Sequence, residues 1–571
     1  MSASVDSPPT STPTAPEPDR SRRLRRPGHA MKAVFAPAAA IAVLFVLWSA
    51  LFPSQTATTL ATVNTTVVNG IGWYYVLLVT AFVGFAVFVG LSRYGDVRLG
   101  PDDEDAQYGV FSWFAMLFAA GMGIGLVFWG VAEPLNHYAA PAPNAPTGDD
   151  AARAQSAFNT TFLHWGLHAW AIYVVVGLSV AYAVHRKGRP VSIRWALEPL
   201  LGKRTDGLLG DVIDVVAIVG TLFGVATSLG FGVTQLAAGL DFLGLVDGDG
   251  NIGLYLGLVA GISALAIISV VSGLDKGIKI LSNTNLVLAG VLMVAILLLG
   301  PSLFVLRELV QNVGSYIQNF VSLSFRTFPY AGGDGESWLS NWTTYYWGWW
   351  ISWSPFVGVF IARISRGRTV REFVAGVLLV PTTLTFLWFS ILGGTALYRQ
   401  IFGAGDLVGA DGAVDTETSL FQVVDNLTGG PILAGLFILL IVIFFVTSAD
   451  SGALVIDMLA HGGDPNPPVW SRVFWGVLAG SIAGVLLFVG WSNGELTDGL
   501  TALQTMAILA AAPFSLVMIG MCVATTRALS REQRATVRRQ REQLTADLAD
   551  DLFSDDRADA ALTRSAPSTG R

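Results

Sequence analysis

Residues 431–449 read PILAGLFILLIVIFFVTSA. At ~1.5 Å rise per residue this charge-free run matches the ~30 Å hydrocarbon core of a bilayer. A helix on the surface of a soluble domain would turn a polar face outward every 3.6 residues. Here nothing polar intrudes until Thr447 and Ser448, so the stretch reads as a membrane-spanning helix. Residues 281–300 (LSNTNLVLAGVLMVAILLLG) carry a second such core. Working outward gives twelve apolar segments: 33–53, 70–91, 109–130, 158–184, 211–240, 251–271, 281–300, 341–362, 373–397, 430–458, 472–490 and 499–525. Over the 571 residues, 53% are apolar or aromatic and only 13% are Asp, Glu, Lys or Arg. A soluble protein carries about 25% charged residues. That shortfall excludes disorder, nucleic-acid binding and a disulfide scaffold as the main function, and Cys522 has no second cysteine to pair with. The strict alternation of barrel strands is missing as well. The expected class is an all-α polytopic membrane protein with twelve transmembrane helices.

The few cations set its orientation. Thirty of the 34 Lys and Arg residues fall in the two tails and the even-numbered loops; the odd loops hold only Arg153, Arg307, Arg326 and Arg399. By the positive-inside rule both tails are cytoplasmic, in a bacterial-type inner membrane. The Pro/Ser/Thr-rich residues 1–32 read as a disordered tail. Residues 527–571 are first basic and helix-prone (REQRATVRRQREQL), then acidic toward a disordered end. Segment 303–325, with Arg307, Glu308, Gln311, Asn312, Gln318 and Asn319 among apolar residues, reads as an amphipathic helix at the outer surface. It serves either as a lid on its own bundle or as an oligomer contact.

Ionisable residues inside spans mark function by default. They are Asp450, His164, His168 and Glu133. Glu133 precedes Pro134 near the end of span 3, where a helix-terminus role competes with chemistry; His168 reads as a hydrogen-bonded structural histidine. No nucleophile–base pair and no His/Cys cluster with metal-ligand spacing is visible, so an enzyme is not expected. Span 3 contains AAGMGIGLVFWGVAEP. Gly121, Gly123 and Gly125 alternate, which weakens a helix by about 1 kcal/mol per glycine. Packing motifs space small residues by four, so alternation favours local unwinding with backbone exposed to a ligand. Span 8 contains WTTYYWGWWISWSPFVGVFIAR, with Tyr346, Trp350 and Trp353 on one helical face and Pro355 and Gly358 expected to interrupt the helix. Span 4 adds Trp165, Trp170 and Tyr173. Trp48, Trp73 and Trp491, near span ends, fit an interfacial belt. Deep aromatic clusters do not; they suit a quaternary ammonium, which has no hydrogen to donate and is held by ring faces. In span 10, Thr447, Ser448 and Ser451 beside Asp450 offer oxygens to a hard cation, or simply bond back to their own helix.

The stretch WTTYYWGWWISWSPFVGVFIARISRGRTVREF (342–373) resembles the signature of the betaine/choline/carnitine transporter family. AGMGIGLVFWGVAEPLNHY (120–138), HWGLHAWAIY (164–173) and TSADSG (447–452) are also similar, and the likeness covers roughly 33–525. The resemblance implies a secondary transporter whose last ten helices form two inverted five-helix repeats. It divides the chain into two peripheral helices (33–108), a first repeat (109–300), an outer helix and loop (301–340) and a second repeat (341–526). It further implies that Trp165, Trp170, Tyr173 and Trp350 box a trimethylammonium group and that Trp353 lies just beneath, on the cytoplasmic route. The backbone of Gly121, Gly123 and Gly125 would approach the substrate carboxylate. One sodium would bind the carbonyls of Ala119, Met122 and Phe444 and the hydroxyls of Thr447 and Ser448; a second would use Thr221, Phe356 and Tyr173. Gly125 stands where choline-preferring members often carry an acid, which favours a zwitterion such as glycine betaine. Val225 stands one turn after Thr221, where sodium-coupled members offer a second hydroxyl, so the stoichiometry stays open. The expected function is sodium symport of a betaine-type solute for osmoprotection by a homotrimer, with no cofactor besides the coupling ion. Ectoine, choline, carnitine and sodium-independent exchange are the alternatives.

Overall fold

The computed structural model describes residues 31–564 apart from 122, 147, 249, 272–274 and 495. Most of the N-terminal tail, the last seven residues and Met122 therefore lie outside the described residues. Regular structure among those described is helical, with one isolated bridge between Arg98 and Thr369. In chain order come α1 (Lys32–Leu51), α2 (Pro53–Leu91), α3 (Val110–Gly121), α4 (Ile124–Ala139), α5 (Asp150–Trp165), α6 (Leu167–Ala181), α7 (Leu208–Phe242) and α8 (Ile252–Val271). They are followed by α9 (Asp275–Leu299), α10 (Ser302–Ser324), α11 (Tyr345–Ile364), α12 (Val370–Phe402), α13 (Gly430–Ala460), α14 (Val469–Ser492) and α15 (Leu496–Arg564).

Local chemistry sets several boundaries. Pro53 is the first residue of α2, where a missing N–H costs nothing, so α1 and α2 meet across Phe52 alone. α12 opens with a capping box: the Glu372 N–H donates to Thr369 Oγ1 (3.2 Å) and the Thr369 N–H to Glu372 Oε2 (2.9 Å).

Among the described residues nine helices are long and apolar enough to cross a membrane, ten if the bent pair Asn283–Leu299 and Ser302–Ser324 counts as one. The two further segments expected to span, 109–130 and 341–362, are helical too but differ in kind. The first is divided into α3 and α4, each too short alone. The second, α11, is rich in Trp, Tyr and Ser and correspondingly less apolar.

The expected interruption at Pro355 does not occur: α11 continues through it. The proline removes the N–H that would bond the Ile351 carbonyl, and the Ser354 hydroxyl donates to that oxygen instead (2.7 Å). Gly358 is a seat for α6 rather than a breaker; a Cβ there would lie 2.6 Å from Val176 Cγ1. The tail also departs from expectation, since α15 is one helix running on to Arg564.

The loops rich in cations gather at one end of the bundle. Arg186 pairs with Asp102 (2.5 Å), Arg366 with Glu104 (2.7 Å) and Arg371 with Asp96 (3.1 Å). Glu532 of α15 pairs with Arg186 (3.2 Å) and Lys187. α10 turns 111° away from the preceding helix. One of its faces bonds α5 through Gln311–Gln155 (2.8 Å), Gln155–Asn312 (2.5 Å) and Asn159–Ser315 (2.9 Å). Its other face leaves Leu303, Val310, Ile317 and Val321 exposed.

Candidate functional site

Two backbone breaks lie beside α11. Between α3 and α4 the chain leaves the helix, and Gly123 is extended (φ −127°, ψ −171°). Between α5 and α6 it kinks at Gly166, where the free carbonyls of His164 and Trp165 accept from Trp350 Nε1 (2.9 Å) and Thr385 Oγ1 (3.1 Å).

The first break explains the alternate glycines. In a continuous helix Gly123 and Gly125 would point to different sides. Because Gly123 is extended, both face α11. A Cβ on Gly123 would lie 3.0 Å from Trp353 Cη2, and one on Gly125 2.4 Å from Trp349 Cη2. Trp349 and Trp353 are one helical turn apart, so each glycine seats one indole. Unwinding and close packing are therefore the same feature.

The aromatic residues singled out from the sequence come together as a connected chain of rings. Trp165 meets Trp350 edge-to-face at 4.9 Å between centroids, Trp350 meets Tyr173 at 6.4 Å, and Tyr173 meets Trp170 at 5.4 Å. Trp349 stacks on Trp350 at 4.7 Å and 13°. Trp165, Trp170, Tyr173 and Trp350 are each no more than 5% exposed, so this conformation is closed to solvent. Trp353 lies beyond them, 6.4 Å from Trp349 and 5.5 Å from Phe356. It rests on α7, where a Cβ on Gly224 would come within 2.8 Å of it.

The oxygens proposed for cations are arranged differently. Thr447 Oγ1 donates to the carbonyls of Ile443 (2.9 Å) and Phe444 (3.1 Å), and Thr221 Oγ1 to Ala217 (2.8 Å), the intrahelical bonding usual for such hydroxyls. Ser448 Oγ approaches the break, 3.9 Å from a Cβ position on Gly123. Ala119 and Gly121 end α3, but Met122 is outside the described residues. Val225 packs against α13, 2.9 Å from a Cβ position on Gly452, so its apolar side chain fills a helix contact. Asp450 Oδ2 accepts from Ser269 of α8 (2.8 Å).

Glu133, a candidate from its charge inside a span, gathers partners that the sequence does not show. It lies inside α4, fully buried. Its Oε2 accepts from Trp165 Nε1 (2.5 Å) and the Tyr346 hydroxyl (2.5 Å). Its Oε1 faces His164 Nδ1 (2.8 Å) and His137 Nε2 (3.3 Å). Glu133, His137 and His164 thus form a three-residue cluster whose ligand atoms lie within 4.8 Å of one another. Both carboxylate oxygens are engaged by hydrogen bonds, and His164 Nε2 continues to Thr343 Oγ1 (3.0 Å). Ionisable residues inside spans pointed to Glu133 and His164, and the Glu133–His137 spacing of four puts those two on one helix face. His168 bonds Ser324 Oγ (3.0 Å) and stacks on Trp347, as a structural histidine does.

Long apolar helices packed around a buried, aromatic, broken-helix centre are the build of a multi-pass membrane protein. The family description "betaine/carnitine/choline family transporter" matches residues 33–534. An uncharacterized transporter of Mycobacterium tuberculosis is 52% identical over 509 residues, 89% of this chain and 84% of that protein. A glycine betaine transporter of Bacillus subtilis is 44% identical over 504 residues, covering 88% and 95%. Glycine betaine transporter 1 of Vibrio parahaemolyticus is 41% identical over 504 residues, covering 88% and 94%. Among solved structures, a manganese transporter mutant of Eremococcus coleocola aligns with a TM-score of 0.42 at 14% identity, over 73% of this chain and 82% of that one, too distant to bear on the site. The chain belongs to the betaine/carnitine/choline transporter family, and it is a transporter rather than an enzyme.

Proposed function

We propose that this protein imports a betaine-type zwitterion, glycine betaine foremost, by sodium symport and so serves osmoprotection. The observation that carries the reading is the closed group Trp165, Tyr173 and Trp350, drawn from both sides of the Gly166 kink and from α11. Desolvated ring faces hold a trimethylammonium at up to ~2 kcal/mol per contact, and a head group without N–H leaves no donor unpaired there. The backbone at Gly121–Gly125 receives the substrate carboxylate, with glycine at 125 leaving no acid to repel it. The names of the Bacillus and Vibrio relatives support the same substrate.

Sodium binds the broken backbone of α3–α4 with Phe444, Thr447 and Ser448; the less developed second site is at Thr221, Phe356 and Tyr173. In the closed form Thr447 bonds its own helix, so its hydroxyl rotates toward the ion as the site opens. Twelve spans, with 109–300 and 341–526 as inverted repeats, a homotrimer, residence in the cell membrane and cytoplasmic tails complete the reading. The clustering of the cation-rich loops with α15 at one end supports the C-terminal tail lying on the side of those loops. Labelled glycine betaine uptake into proteoliposomes, with and without sodium and against choline, carnitine and ectoine, tests it. Equal uptake without sodium removes the symport claim, and stronger competition by another solute replaces the substrate.

A further inference from the structure

We infer that Glu133 acts as a remote counter-charge for the aromatic box, strengthening its hold on a cationic head group through the Trp165 indole without touching the substrate. The inference rests on the reading that Trp165, Tyr173 and Trp350 cage a trimethylammonium. Four potential donors converge on this one carboxylate: Trp165 Nε1, the Tyr346 hydroxyl, His164 Nδ1 and His137 Nε2. An indole N–H can only donate, so Oε2 must accept at Trp165. An ionised carboxylate accepts all four bonds. With its proton on Nδ1, His164 leaves Nε2 to accept from the Thr343 hydroxyl. Four converging donors favour the ionised form of Glu133 against the cost of its burial.

That charge is placed behind the box. Trp165 gives its N–H to Glu133 and meets Trp350 edge-to-face. Tyr346 binds the same oxygen and lies 5.6 Å from Trp165 and 5.9 Å from Trp350. A charge-assisted bond at the indole nitrogen pushes electron density into the ring, and bonds in series polarise one another at low dielectric. The ring face becomes more negative toward a cation. Glu133 is thus a positioning residue with an electrostatic effect that a purely structural acceptor lacks.

The test compares two ligands of one shape. 3,3-Dimethylbutanoate is glycine betaine with the quaternary nitrogen replaced by carbon; it keeps the carboxylate and the three methyl groups but has no head-group charge. Dissociation constants for both are measured by calorimetry on the full-length protein in nanodiscs, for wild type and Glu133→Gln. The expected result is a roughly tenfold weakening for betaine and less than twofold for the isostere. Equal weakening of both makes Glu133 a scaffold only, and no weakening of either removes it from the site; each overturns the inference while leaving the betaine reading intact. Wild type that does not bind betaine overturns the betaine reading, and the inference with it. If Glu133→Gln is not monodisperse, Glu133→Asp carries the test. Retracting the carboxylate from the indole should weaken betaine about threefold relative to the isostere, and an unchanged ratio overturns the inference.

Discussion

Gly125→Ala asks whether the broken segment and the aromatic site are one mechanical unit. The added Cβ would lie 2.4 Å from Trp349 Cη2 and 3.2 Å from Cζ2 and Cζ3. Carbon atoms pack at ~3.5–4.0 Å, so the indole must recede by about 1 Å. It has little room, being stacked on Trp350 at 4.7 Å and on Tyr345 at 5.5 Å, with Phe231 5.7 Å away. Overpacking of this kind costs ~1–3 kcal/mol. Replacing glycine in a helix returns about 1 kcal/mol, so the net loss of stability is ~0–2 kcal/mol. The displacement also reaches Trp350, a wall of the box. At ~1.4 kcal/mol per tenfold, betaine affinity should fall about 5- to 150-fold. Tryptophan-fluorescence titration in detergent measures this, with Gly84→Ala as the control, because a Cβ on Gly84 meets nothing within 4 Å. Wild-type affinity in Gly125→Ala would refute the coupling of this glycine to the site.

Three further outcomes are expected. Trp350→Ala removes one ring face, worth up to ~2 kcal/mol, and should raise the betaine dissociation constant about 30-fold in the same titration. Ser354→Ala leaves the Ile351 carbonyl without its donor beneath Pro355; a buried acceptor so stranded costs ~1–3 kcal/mol, read as a lower melting midpoint. Glu532→Ala releases the shared partner of Arg186, Lys187 and Tyr182, and trypsin should then cut within 531–541 faster than in wild type.

Much of the fold was legible because it follows from local rules. Apolar length marks spans, and scarce cations mark one end; the pairings of Arg186, Arg366 and Arg371 join the loops that the charge count had grouped. The aromatic face of α11 was legible from its spacing alone. Pro355 was misjudged because its repair is a neighbouring hydroxyl, Ser354, rather than anything in the hydropathy pattern. The glycines were half understood: their alternation announced the break, but that both would face α11 depends on the extended backbone at Gly123. Glu133 was flagged by its charge inside a span, but its partners were hidden. Its partners Trp165 and Tyr346 are 32 and 213 positions away in the chain, and no local pattern encodes such a convergence.

Sodium-driven accumulation tests the account most directly. Purified protein in proteoliposomes is given labelled glycine betaine with an inward sodium gradient, with potassium in its place, and with Trp350→Ala. Saturable uptake above the external concentration, dependent on sodium and lost in the variant, is the expected result. Uptake that is equal in potassium, or no greater than in empty liposomes, contradicts it.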